Sequence, residues 1–254
     1  MLLLPADTFS FTTVLSNLPD WDSILAAPIA YEQPTVNSSW EAFVANLPTI
    51  LLVWLCSLGI SLVGWGVASA ISLAVLGVGG GAAGSPSESA SVVASVISNI
   101  TQLPFSILSS FVGVLFVAVP AMYYEIGEPI GVQQAFSILF NRPLRYLLAG
   151  LLFTLATTVG FILCILPGIA VALVTPVYVN KIFNTELDIV EAFKASFSAV
   201  YGTERGRTFL GIEILVGLVV AAVSICTCFL GGLVAIPMGT FYIQNAAYRQ
   251  GVIS

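Results

Sequence analysis

Histidine is absent from the sequence, and charge is scarce: seven lysines and arginines stand against thirteen aspartates and glutamates in 254 residues. The first absence removes the commonest general base and metal ligand, so most hydrolytic, metal-dependent and proton-relay schemes lack their usual residue. No Walker loop, dinucleotide fingerprint, nucleophile elbow or zinc-protease motif occurs. The four cysteines, Cys56, Cys164, Cys226 and Cys228, all lie in apolar segments, where a free thiol behaves as a small hydrophobe. Cys226-Thr-Cys228 has the spacing of half a soft-metal site, but no third or fourth ligand stands near it. These absences lead us to expect a protein without catalytic residues, metal or cofactor. A net charge of −6 gives no basis for binding nucleic acid.

Apolar residues make up the rest. Hydrophobic residues are 58% of the chain and charged ones 8%, with mean hydropathy +1.02, whereas soluble domains are about one-quarter charged. The expected class is an all-α polytopic membrane bundle. Its central stretch runs from Leu147 to Asn180 without a charge. As one helix, these residues would extend roughly 50 Å against a hydrocarbon core of about 30 Å. Pro167-Gly168 supplies a stop and a reversal, predicting two crossings joined by a tight turn. The second arm, from Pro167 to about Phe183, is short enough that a partly re-entrant hairpin is an alternative.

The same reading along the chain predicts further crossings at Leu47 to Val78, Leu103 to Tyr124, Thr208 to Leu230 and Leu233 to Tyr248, the last two turning at Gly231-Gly232. Ser57, Ser61, Gly64 and Gly66 are small enough for a neighbouring helix to approach the first crossing closely. The segment Gly79 to Pro86 breaks regular structure. Three amphipathic helices are expected at the membrane interface. The first follows a capping box at Ser38 to Glu41 and carries Trp40 and Phe43. The second carries Val132, Phe136, Leu139 and Phe140. The third follows the pattern Thr185 to Asp188 and carries Val190, Phe193, Phe197, Val200 and Tyr201. Their aromatic residues Trp40, Phe43, Phe136, Phe140, Phe193 and Phe197 are the expected interfacial or partner contacts.

Residues 1–38 read either as an N-terminal interfacial or partner-binding segment or as a plain tail, expected to be retained because it lacks the basic start of a signal peptide. Residues 39–254 then read as one six-helix domain of three repeated hairpins, about 39–124, 130–183 and 187–248, each preceded by an amphipathic helix. Pro120, Pro176 and Pro237 recur late in the second arm of each unit, and an Ala-Phe pair recurs at Ala42-Phe43, Ala135-Phe136 and Ala192-Phe193. With six crossings all seven basic residues fall on one side, which should be cytoplasmic and hold both termini.

Glu213 is the one carboxylate inside an expected crossing. Charge there costs roughly 2.5 to 3.5 kcal/mol at mid-membrane. It reads either as a proton or cation site or as a carboxylate that reaches headgroups or pairs with Arg205 or Arg207. Asn180 and Lys181 read either as lining a polar pocket or as an ordinary helix end with a snorkelling lysine.

The motifs Leu166-Pro-Gly-Ile169, Pro176-Val-Tyr178, Ala192-Phe-Lys-Ala-Ser196 and Leu233-Val-Ala-Ile-Pro237 resemble a group of bacterial integral membrane proteins of largely unknown function. That group is related to the membrane domain accompanying some glycerophosphoryl diester phosphodiesterases. The resemblance covers about Ser39 to Tyr248. It implies a membrane module, in a bacterial cytoplasmic membrane or an internal membrane such as the thylakoid. The phosphodiesterase domain and its acidic and histidine catalytic set have no counterpart here. The function expected is a non-enzymatic accessory, assembly or membrane-organising role, with lipids and another membrane complex, or a second copy of the chain, as partners. The alternative is a small-solute or ion transporter or channel with Glu213 on its pathway.

Overall fold

The computed structural model describes residues 26–79 and 88–253. Most of the N-terminal segment and the Gly/Ser-rich break therefore lie outside the described residues. A 3-10 turn (Pro28–Tyr31) leads into α1 (Val36–Ala45), α2 (Leu47–Gly79), α3 (Glu88–Gly113), α4 (Leu115–Ile126), α5 (Val132–Asn141), α6 (Pro143–Leu163) and α7 (Ile165–Ala172). Then follow α8 (Thr175–Asn184), α9 (Ile189–Tyr201), α10 (Glu204–Cys226) and α11 (Gly232–Arg249), with no strand among the described residues.

Five helical stretches are long and apolar enough to cross a membrane: Leu47–Gly77, Ser91–Ile126, Pro143–Leu163, Ile165–Asn184 and Glu204–Cys226. The chain is a helical membrane protein. The second of these begins earlier than the sequence suggested, because α3 continues through Pro104. Neighbouring helices make such a proline tolerable in a membrane. α11 is not among the five. It is 18 residues long and carries Gln244, Asn245 and Arg249.

First and second arms differ in burial. Ser91–Ile126 and Ile165–Asn184 are 39% and 44% buried over their most apolar stretch, against 17%, 17% and 11% for the other three. The cause is a triangle at the centre of the molecule. α4, α8 and α11 pack on one another, while α2, α6 and α10 pack mainly on their own hairpin partners. Val119, Val177, Phe241 and Tyr248 meet in this centre, each no more than 1% exposed. Polar side chains tolerated on α11 are the consequence, since it faces protein on several sides.

The reversals of the last two hairpins do not rest on a glycine with positive φ. In the central hairpin the reversal is at Cys164, which is extended (φ −173°, ψ 156°), and not at Pro167-Gly168. Pro167 lies in the first turn of α7, where a missing N–H costs nothing. Gly168 serves close packing instead. A Cβ added at Gly160 would meet Gly168 Cα at 2.9 Å. The last hairpin turns over 227–231, where Cys228 and Phe229 have positive φ and Gly231 closes the turn as the cap of α11. Gly232 packs near the Ser224 hydroxyl.

Two helix starts also move. The first cap is Thr35, whose hydroxyl accepts from Ser38 N at 3.0 Å while Ser38 Oγ accepts from Thr35 N. Glu41, expected to close that box, accepts from Asn37 instead. Asp188 is itself the cap of α9, accepting from Val190 N at 3.1 Å, and Thr185 closes the preceding helix. In both cases a second hydroxyl or carboxylate nearby satisfied the free N–H groups first.

In the first hairpin, Ser109 donates to Ser57 O and shares a 3.0 Å contact with Ser61 Oγ. A Cβ at Gly64 would collide with Phe105, whereas Gly66 faces open space. Three of the four small residues therefore bring α2 and α3 together. Residues 26–32 pack across the ends of α4 and α11. Ala27 N donates to Glu125 O at 3.1 Å, and Asn245 Nδ2 donates to Ala30 O at 2.8 Å.

Candidate functional site

The central triangle closes around a polar cluster. Asn180, on α8, donates from Nδ2 to the Tyr248 hydroxyl of α11 at 2.8 Å. That hydroxyl in turn donates to Glu125 Oε2, at the end of α4, over 2.6 Å. Gln244 donates to the carbonyl of Pro176 at 2.9 Å, and its Oε1 lies 3.5 Å from Asn180 Nδ2. Asn184 donates to Ala121 O at 3.2 Å. Asn180, Gln244 and Tyr248 are all buried. The Pro176 carbonyl is a hydrogen-bond acceptor near the start of α8, so Gln244 ties α11 to that end.

Asn180 thus belongs to a satisfied network rather than an open pocket. Lys181, its neighbour, is half-buried and forms no ion pair among the described residues. Glu213 is elsewhere. It shares the inner face of α10 with Gly206 and Phe209 and is 8% exposed. Its Oε2 is buried without a hydrogen-bond partner, and the expected pairing with Arg205 or Arg207 does not form. No hydrogen bond connects it to Asn180 or Lys181, so the structure does not assemble these three into one site.

The residues missed by sequence reasoning are Tyr248, Gln244 and Glu125. Gln244 and Tyr248 fell within the last expected crossing and Glu125 just beyond the second, and none of the three carried a functional reading. The available signal was the concentration of Gln, Asn and Tyr between Gln244 and Tyr248, on a helix too polar to face lipid on every side.

The expected aromatic contacts divide into two groups. Phe43 is buried at 4% exposure and is spent on the core. Phe136, Phe193 and Phe197 are partly buried against it. Phe193 meets Tyr178 edge-on at 5.6 Å between ring centroids. Trp40 and Phe140 remain exposed, at 46% and 57%.

A groove of about 520 Å³ opens between α3–α4, α6 and α8. Phe111, Val117, Gly150, Phe153 and Val179 are among its apolar walls. Tyr146 and Phe183 stack at 4.3 Å at one end. Beside them Arg145 Nη2 donates to Thr185 O at 2.8 Å and Ile182 O at 3.4 Å, capping the C-terminus of α8. Arg142, at the same end, pairs with Glu186. The guanidinium holds the Glu186 carboxyl below its usual range by hydrogen bond and charge, and Arg142 is raised in return. Both groups are solvent-exposed, so this pair is readily screened.

Comparison with protein-family models, curated proteins and solved structures found no match to this chain.

Proposed function

We propose that the chain is a non-enzymatic integral membrane protein that acts in assembly or membrane organisation through helix–helix and lipid contacts. In this reading α11 is a sixth crossing, the three hairpins are repeats, and the basic helix ends and both termini are cytoplasmic. The observation that carries it is the central cluster. Asn180, Tyr248 and Gln244 use their hydrogen bonds on one another, on Glu125 and on the Pro176 carbonyl, which suits a packed structural bundle. The mutual packing of α4, α8 and α11 also suits three copies of one hairpin around a common axis. The likeness to membrane modules related to the phosphodiesterase membrane domain is part of the same proposal. Gentle extraction from native membranes followed by native mass spectrometry tests it. A stoichiometric membrane-protein partner or a defined homo-oligomer with retained lipid is expected; a bare monomer without lipid would remove the reading.

One observation favours transport as the second reading. Glu213 Oε2 is buried and unpartnered within a span, and ionisable groups placed so are commonly on ion or proton routes. Flux through proteoliposomes that Glu213→Gln abolishes would establish it.

A further inference from the structure

The groove between α3–α4, α6 and α8 lies within helices long and apolar enough to cross the membrane. Its α6 wall runs from Tyr146 to Thr154. That is roughly 12 Å of helix, close to one leaflet of a hydrocarbon core about 30 Å thick. The groove therefore has the length of a lipid tail from one leaflet rather than of a whole crossing. Gly150 lies exposed on this wall. A Cβ added at Gly150 would meet nothing within 4 Å, so the protein leaves this volume unfilled.

The two ends of the groove differ in chemistry. One carries no charge: Ile107 and Leu151 contribute there with Ser106, Thr154 and Thr175, and the Ser106 and Thr175 hydroxyls donate to the carbonyls of Leu103 and Ala172. The other carries the Tyr146–Phe183 stack, and Arg145, which is not itself a lining residue, adjoins it through its hydrogen bond to the carbonyl of the lining residue Ile182. Arginine has five N–H donors, and among the described residues only Nη2 of Arg145 is engaged, by the Ile182 and Thr185 carbonyls. No carboxylate pairs with it there. A fixed guanidinium with donors to spare, at the charged end of a leaflet-length apolar groove, is complementary to a lipid phosphate attached to an acyl chain.

We infer that this groove is a binding site for one acyl chain of an anionic phospholipid, with Arg145 taking the headgroup phosphate. The inference rests on the lipid-contact half of the proposed function and names its ligand class. Arg145 has two roles in it, fastening the end of α8 and presenting its free donors to the lipid. Bound lipid would then brace α6 and α8 against α3–α4.

The test uses the full chain, delipidated in detergent and titrated with dioleoyl phosphatidylglycerol or dioleoyl phosphatidylcholine, with bound lipid counted by native mass spectrometry. One phosphatidylglycerol per chain is expected to bind at least about tenfold more tightly than phosphatidylcholine. Gly150→Leu, which fills the groove, should weaken phosphatidylglycerol about tenfold or more. Gly217→Leu, placed in open space on α10 away from the groove, should leave it unchanged. Arg145→Gln should abolish the preference between the two lipids. If Gly150→Leu does not fold, Thr154→Leu on the same wall repeats the measurement. Equal binding of the two lipids by the wild type, or unaltered binding after the groove is filled, overturns the inference. A protein partner retained from native membranes alongside such a result would leave the assembly reading intact, so the two failures are distinguishable.

Discussion

The Tyr248 hydroxyl donates to Glu125 Oε2 across 2.6 Å, joining the last helix of the bundle to the end of α4 more than 120 residues earlier. The same oxygen accepts from Asn180, so one hydroxyl holds all three inner helices. Tyr248→Phe removes both bonds while keeping the ring that packs against Tyr31 and Tyr124. It should cost about 1 to 2 kcal/mol, within the range for buried side-chain hydrogen bonds and their membrane counterparts. Thermal unfolding in detergent reads this directly, and a double-mutant cycle with Asn180→Leu should show coupling between the two positions.

Gly160 and Gly168 bring the arms of the central hairpin into backbone contact. Gly160→Ala should destabilise by about 1 to 3 kcal/mol, because its Cβ meets main-chain atoms that cannot turn aside. Gly59→Ala, which points into open space, should be neutral or slightly stabilising through helix propensity. Paired unfolding measurements separate the two cases. Equal effects would refute the close contact.

Glu213 Oε2 has no hydrogen bond to lose among the described residues. If it is only a buried carboxyl within a packed bundle, Glu213→Leu should raise stability by about 1 kcal/mol or more, since an unsatisfied polar group is replaced by an apolar one. A marked fall in stability, measured in the same unfolding assay, would mean that the carboxyl holds a ligand or ion in the membrane.

The Arg142–Glu186 pair should give a small acid-side dependence. The Glu186 carboxyl titrates lower in the folded protein than in the unfolded chain. Its contribution is therefore fully present above the unfolded carboxylate range and is lost as pH falls through the lowered folded value. Both side chains are exposed, so the effect should shrink at high salt. Comparing the melting temperature of wild type and Glu186→Gln from pH 7 down to pH 3, at low and high salt, checks the sign.

The long uncharged runs determined the class and most helix positions without any structure. Leu47 to Val78 is a helix within a residue of where hydropathy puts it, and the stretch from Leu147 to Asn180 is helical in two arms as expected, although its first arm already ends at Leu163. Both are helical because a backbone in lipid must satisfy its hydrogen bonds within the segment. The buried carboxylate of Glu213 was likewise evident as the one acid in an apolar run. The turns were less accessible. Cys164 reverses the chain ahead of Pro167-Gly168, and the last turn places its positive φ at Cys228-Phe229 rather than at Gly231, while Gly168 and Gly232 pack against the opposite arm.

What only tertiary structure decided is the inside of the bundle. Hydropathy measures how apolar a helix is and carries no information on which neighbour it meets, so all second arms looked alike in the sequence. Their convergence makes α4, α8 and α11 the interior, places Asn180 and Tyr248, the end residue of the last expected crossing, at the centre of a network, and leaves Glu213 outside that network. The physical reason is that hydrogen-bond partners on different helices are chosen by packing, over separations of 64 to 123 residues, at which residue periodicity carries no signal.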